Sequence, residues 1–187
     1  GLAIGDTLTE AERPAAEPIP GYREAKPVVF SSIYPMATDD YEDLTKALEK
    51  LKLNDASLIY EKDSSAALGF GFRCGFLGLL HLDVVQERLE REYDLSLILS
   101  APSVRYRIVR NDDSEVWIDN PTFYPDPASI KEAYEPYIKA TIMTPERYLG
   151  TVMELCRERR GVDTSFNYLA AGRMEVGSQI PLAEVLF

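Results

Sequence analysis

From Leu68 to Phe76 the chain reads LGFGFRCGF, an alternation that fits an extended strand and little else. Leu68, Phe70, Phe72, Cys74 and Phe76 fall on one side of such a strand and Gly69, Gly71, Arg73 and Gly75 on the other, because side chains of an extended chain alternate with period two. The glycine side is predicted to let another group approach the backbone closely. A phosphate loop of the form GxxxxGK(S/T) would need lysine and a hydroxyl residue after its last glycine, but Gly75 precedes Phe76 and Leu77, and Gly78 precedes Leu79 and Leu80. A dinucleotide loop GxGxxG would need glycine where Cys74 stands. Packing is the preferred role of the glycines, with contact between Arg73 and a partner as the alternative.

The flanking patterns build a unit around this strand. VVFSSIYPM has the β-branched and aromatic content of a strand. In TDDYEDLTKALEKLKLND, Tyr41, Leu44, Leu48 and Leu51 line one helix face, Thr38 or Asp39 is placed to cap its start, and Asn54 with Asp55 to end it. SLIYEKD is a second strand, joined to the glycine strand by a Ser-Ser turn. A helix from about Leu77 to Tyr93 is expected to turn Leu77, Leu80, Val84, Val85 and Leu89 inward, and LSLILSAP closes the unit as a strand. Strand, helix, strand, strand, helix, strand is the split βαβ, ferredoxin-like order, an α+β arrangement with two helices on one face of an antiparallel sheet.

Residues 10–27, with four of the twelve prolines, read as linker. After the first unit, VRYRIVRNDDSEVWIDN reads as a β-hairpin around Asn111, Asp112 and Asp113, and PTFYPDPASIKEAYEP as a proline-rich connector. YIKATIM is again a strand. Thr144, Pro145 and Glu146 are placed to start a helix, PERYLGTVMELCRERR, that stops at Gly161, and two more strands follow. The second unit is thus a ferredoxin-like module truncated after βαββ. The expected division is 1–25 (the end of a preceding domain and linker), 26–103 (first module), 104–135 (hairpin and connector) and 136–187 (partial second module).

Two isolated cysteines, Cys74 and Cys156, and a single histidine, His81, argue against a zinc site, and no metal site is expected. The net charge of −11 opposes nucleic-acid binding over the whole surface, and no DNA partner is expected. From Tyr137 onward six basic and six acidic residues cancel, so all the acidity lies before it. Arg157, Arg159 and Arg160 form the densest basic cluster. They complement the dipole at a helix end, and with Arg147 and Arg173 in the same module they are equally candidates for RNA backbone contact. His81 has no nucleophile with a recognisable signature nearby and reads as structural. Trp117 and the tyrosines read as core or hairpin packing. No catalytic or GTP-binding residue is identified.

The stretch LNDASLIYEKDSSAALGFGFRCGFLGLLHLDVVQERLEREYDLSLILSAPSV resembles the third domain of the LepA-type translational GTPases, the elongation factor four family. PYIKATIMTPERYLGTVMELCRERRGV is similar to their elongation factor G domain V-like module, and GLAIGDTLT to the end of the preceding β-barrel. The run GFGFRCGFLGLLH is the most specific part, since elongation factor G has a shorter Gly-x-Gly-Glu-Leu-His pattern there.

The resemblance implies a central fragment of a ribosome-dependent GTPase that lacks the tRNA-mimicking fourth domain of elongation factor G. Such a factor moves tRNAs back by one codon, supports fidelity, and is cytoplasmic with partial association with the membrane face. GTP and Mg would belong to a domain before Gly1, leaving this fragment without a cofactor and without GTP hydrolysis of its own, and further domains would follow Phe187. The first module would face the GTPase domain and the small-subunit shoulder, with Arg73 and His81 as interdomain or ribosome contacts. The second would face large-subunit RNA and protein, and tRNA contact would come through the parent. The competing reading is a paired ferredoxin-like module that binds a small regulatory molecule; an enzyme is the third.

Overall fold

The computed structural model of the chain describes residues 6–18, 21 and 26–186. Gly1–Gly5 of the barrel-like stretch, part of the linker, and Phe187 lie outside the described residues. The chain divides into two compact units, Gly1–Pro102 and Ser103–Phe187.

The first unit consists of β1 (Val29–Pro35), α1 (Tyr41–Asn54), β2 (Ile59–Ser65), β3 (Gly69–Phe76), α2 (Leu79–Tyr93) and β4 (Leu97–Leu99). Its strands lie in the order β2-β3-β1-β4, every pair antiparallel, which is the expected ferredoxin-like α+β topology. The glycine strand sits at the centre, with Phe76 opposite Val29 and Phe72 opposite Ile33. These four side chains and Cys74 are buried with Leu44, Ala47, Leu48 and Leu51 of α1 and Leu82, Val85 and Leu89 of α2. Burying a leucine or phenylalanine of this set fully contributes about 2 kcal/mol. Tyr41 extends the layer by stacking on Phe72, with centroids 5.3 Å apart.

Local details depart from the sequence reading. Neither Thr38 nor Asp39 caps α1 through its side chain; a 3-10 turn, Thr38–Asp40, leads into the helix instead. Ser64 and Ser65 belong to β2, and the turn falls on Ala66–Leu68, closed by Gly69 at φ +78°. Helix α2 begins two residues later than expected, and its core face is Leu82, Val85 and Leu89, while Leu77, Leu80 and Val84 are exposed. At 100° per residue those two sets lie on opposite sides, and only one of them can face the sheet.

The second unit holds two three-stranded antiparallel sheets. The short β5 (Ser103–Val104) precedes the predicted hairpin, β6 (Tyr106–Arg110) and β7 (Glu115–Ile118). The supposed connector supplies β8 (Ile130–Tyr134), which pairs with β6 on its other side. The other sheet contains β9 (Tyr137–Pro145), β10 (Val162–Leu169) and β11 (Arg173–Pro181) in the order β10-β11-β9, with α3 (Leu149–Glu158) after β9. This is the expected βαββ. Thr144 is part of β9 and does not cap the helix, because Pro145 is still extended (φ −59°, ψ 144°) and a 3-10 turn intervenes. Met174, Val176 and Ile180 of β11 and Cys156 of α3 are buried.

Candidate functional site

The glycine side of β3 answers the glycine question, for Gly71, Arg73 and Gly75 are all buried. A Cβ on Gly71 would lie 2.4 Å from the Ile33 carbonyl oxygen and 2.4 Å from the Tyr34 ring, and one on Gly75 would lie 2.9 Å from the Phe30 ring. The glycines exist so that Tyr34 and Phe30 of β1 can lie across them. Between them stands Arg73, only 7% exposed. Its Nη1 donates to Ser32 Oγ (3.3 Å), Ser32 Oγ donates to Asp63 Oδ2 (2.6 Å), and Tyr34 Oη donates to the same oxygen (2.9 Å). Burial pushes the Asp63 carboxyl up, but the hydrogen bonds from Ser32 and Tyr34 outweigh it and hold the group below the usual carboxylate range. Arg73 is therefore tied into its own sheet. On the core side Cys74 is inert, its thiol pushed up to about 12 by burial.

His81 is held just as firmly. Leu77 N–H donates to its Nδ1 (3.0 Å), and since that amide can only donate, the proton sits on Nε2, 2.6 Å from Asp55 Oδ2. The other Asp55 oxygen accepts from Ser57 N, Ser57 Oγ and Leu58 N. Serine, aspartate and histidine thus meet, but the serine bonds to the aspartate. No histidine nitrogen remains to take a proton from a nucleophile, so the arrangement is a clamp between the end of α1 and the start of α2. Burial raises the Asp55 carboxyl, and the bonds from Ser57 and His81 more than reverse that.

The arginine candidates separate into two groups. Arg157, Arg159 and Arg160 lie at the C-terminal end of α3. Arg160 Nη1 and Nη2 donate to both Glu135 oxygens (2.8 and 3.0 Å) and its Nε to Glu184 (2.7 Å), which raises its pKa. Its backbone is left-handed, φ 56°, because α3 ends in a Schellman turn: Arg160 N–H bonds Arg157 O and Gly161 N–H bonds Cys156 O. Arg159 Nη1 donates to the Glu184 carbonyl (3.0 Å). Arg157 is exposed, and no ion pair engages it among the described residues.

Arg147 and Arg173 lie at the other end of α3, since Arg173 pairs with Pro145 and Arg147 follows that residue by two. Both are exposed, and no ion pair engages either among the described residues. Arg147 sits 4.8 Å from the Tyr148 ring centre, and exposed Tyr168 pairs with Met174 next to Arg173. Of the three crowded arginines, Arg159 and Arg160 are engaged by Glu184 and Glu135, whereas Arg157, Arg147 and Arg173 have no ion pair among the described residues. Trp117, read as a packing residue, is 60% exposed.

Residues 25–101 match the family model for elongation factor G, domain III, and residues 132–186 the model for the elongation factor G C-terminus. The chain is 66% identical over 186 residues to a protein named elongation factor 4 2 from Rhodopirellula baltica, and 65% identical over 186 residues to elongation factor 4 of Syntrophus aciditrophicus. Both alignments cover 100% of this chain and 31% of the relative. The chain belongs to the elongation factor 4 family. It spans about a third of the length of these relatives, and elongation factor 4 of Treponema denticola, 60% identical over 186 residues, matches over the same share. Both halves of an elongation factor 4 segment are thus accounted for, domain III by the first unit and the C-terminal module by the second. Among the described residues no helix is long and apolar enough to cross a membrane.

Proposed function

We propose that this chain is the ribosome-contacting centre of a LepA-type translation factor that moves tRNAs back on the ribosome and supports fidelity, with GTP and Mg bound by other parts of the whole protein. The observation that carries this is identity of 54–66% to proteins named elongation factor 4 over 98–100% of the chain. Nothing in the geometry favours a small-molecule regulatory module. The work of the first unit is mechanical: Arg73 and His81 stiffen it, so that a contact with the GTPase domain or the small-subunit shoulder would be made by a sheet and helix pair of fixed shape. Large-subunit RNA contact is assigned to Arg147 and Arg173, flanked by Tyr148 and Tyr168, and to Arg157. Arginines free of carboxylates can neutralise phosphate without first breaking an ion pair, and exposed tyrosines offer stacking faces. Arg159 and Arg160 act behind them as supports of the α3 end. The cytoplasmic location and any association with the membrane face belong to the whole factor.

The test is a chimaera in which this chain replaces the aligned third of the Syntrophus aciditrophicus protein. Ribosome-stimulated GTP hydrolysis is expected to persist, and to fall at least tenfold with Arg147→Glu and Arg173→Glu while hydrolysis without ribosomes is unchanged. A folded chimaera that ribosomes do not stimulate would overturn the proposal.

A further inference from the structure

The sheet β7-β6-β8 is built mainly from residues between the two matched spans, 25–101 and 132–186, so the shared family folds leave its surface unexplained. Its register sets Trp117, Arg107 and Tyr134 side by side across the three strands. Trp117 is 60% exposed and Tyr134 43%. The Arg107 guanidinium lies 4.1 Å from the centre of the Tyr134 ring, and its Nη1 is 3.0 Å from Glu115 Oε1. In the next row Glu115 and Glu132 flank Val109, and Tyr134 Oη donates to Glu132.

We propose that this face is a docking surface for an extended, lysine- or arginine-bearing segment of another protein. Tryptophan, tyrosine and arginine are the side chains that dominate binding energy at protein interfaces. Here the arginine and the tyrosine are held in place before any partner arrives: Arg107 is fixed by the Tyr134 ring and Glu115, and Tyr134 by Glu132. The charge decides the partner class. Two carboxylates stand against one arginine whose own charge is already met, and the exposed Trp117 ring lies beside them. A cationic side chain gains from the carboxylates and from the exposed Trp117 ring, the Tyr134 ring already carrying Arg107, whereas a phosphate would meet repulsion and would have to displace Glu115 from Arg107. The inference stands independently of the ribosome reading, which places nucleic acid on the other sheet of this unit.

Trp117 is the only tryptophan in the chain, so its fluorescence reports this face directly. The chain is titrated with a capped arginine-glycine repeat decapeptide, a glycine-serine decapeptide and a decauridylate RNA. A saturable change is expected with the arginine peptide alone. Glu132→Gln, which leaves the Arg107 and Glu115 pair intact, is expected to weaken it severalfold, and Glu115→Gln with Glu132→Gln at least tenfold. Glu87→Gln with Glu92→Gln, equal in charge but on α2, is expected to stay within twofold. No saturable change, equal weakening by the α2 pair, unaltered binding by the β-sheet variants, or a response to RNA in place of the peptide would each overturn the proposal. So would a fluorescence change on raising the chain concentration alone, which would assign the face to a second copy.

Discussion

Alanine at three glycines of one motif separates packing from every other explanation of that motif. At Gly71 the new Cβ would be 2.4 Å from a backbone oxygen of the neighbouring strand, about 1 Å short of ordinary contact, so β1 and β3 must part or twist. Overpacking of this kind costs up to about 3 kcal/mol. The narrower unfolded ensemble of alanine offsets roughly 0.4–1 kcal/mol, leaving a net loss of about 2 kcal/mol. At Gly75 the obstacles are the side chains of Ile59, Phe30 and Pro27 at 2.7–2.9 Å, which can shift, and the net loss falls to about 1 kcal/mol. Gly78 has nothing within 4 Å of the Cβ position and an extended φ of 170°, so alanine there is neutral or slightly stabilising. For a unit of this size each kcal/mol moves the midpoint by about 4–8 °C. Calorimetry should show the transition of the first unit lowered by about 10 °C in Gly71→Ala, by roughly half that in Gly75→Ala, and unmoved in Gly78→Ala. Trp117 fluorescence follows the second unit as an internal reference. Equal stability of the Gly71 and Gly78 variants would refute the close-approach account.

His81→Ala removes the partner of the half-buried Asp55 carboxylate and of the exposed Leu77 amide, and should destabilise the first unit by about 1 kcal/mol in urea unfolding with an unchanged slope. Asp55 is held below its ordinary pKa in the folded chain, so the unfolded chain binds the proton first; its contribution is complete above about pH 4 and is lost as the pH falls lower. Asp55→Asn should therefore flatten the acid limb of the stability curve of the first unit. Arg160 occupies a left-handed position that glycine tolerates better, while alanine keeps the strain and loses the same ion pairs. Thermal unfolding of the second unit should accordingly rank Arg160→Gly above Arg160→Ala, and the reverse order would contradict the Schellman assignment.

The parts of this fold that were legible in the sequence are those carried by period alone. The alternation at Leu68–Phe76 and the leucine spacing of α1 each have one solution; the helix face formed as read, and the strand formed over Gly69–Phe76 with Leu68 left in the turn. Helix α2 formed with Val85 and Leu89 inward as read, but Leu77, Leu80 and Val84 offer a second apolar stripe that the structure leaves exposed, and periodicity alone does not choose between the two. The strand Ile130–Tyr134 was hidden by its charges and nearby prolines; its pairing with β6 is a long-range event that local propensity does not record. The site was less legible for a similar reason. Arg157, Arg159 and Arg160 look alike in sequence, yet Glu135 and Glu184, each more than twenty residues from Arg160, decide which of them is engaged.

Co-sedimentation of this chain with ribosomes over a salt series tests the central claim most directly. The account predicts binding that weakens steeply as salt rises, is lost in Arg147→Glu with Arg173→Glu, and survives Arg160→Ala at low temperature, where the second unit stays folded. Absence of binding at low salt, or binding that the paired arginine substitutions leave unchanged, would contradict it.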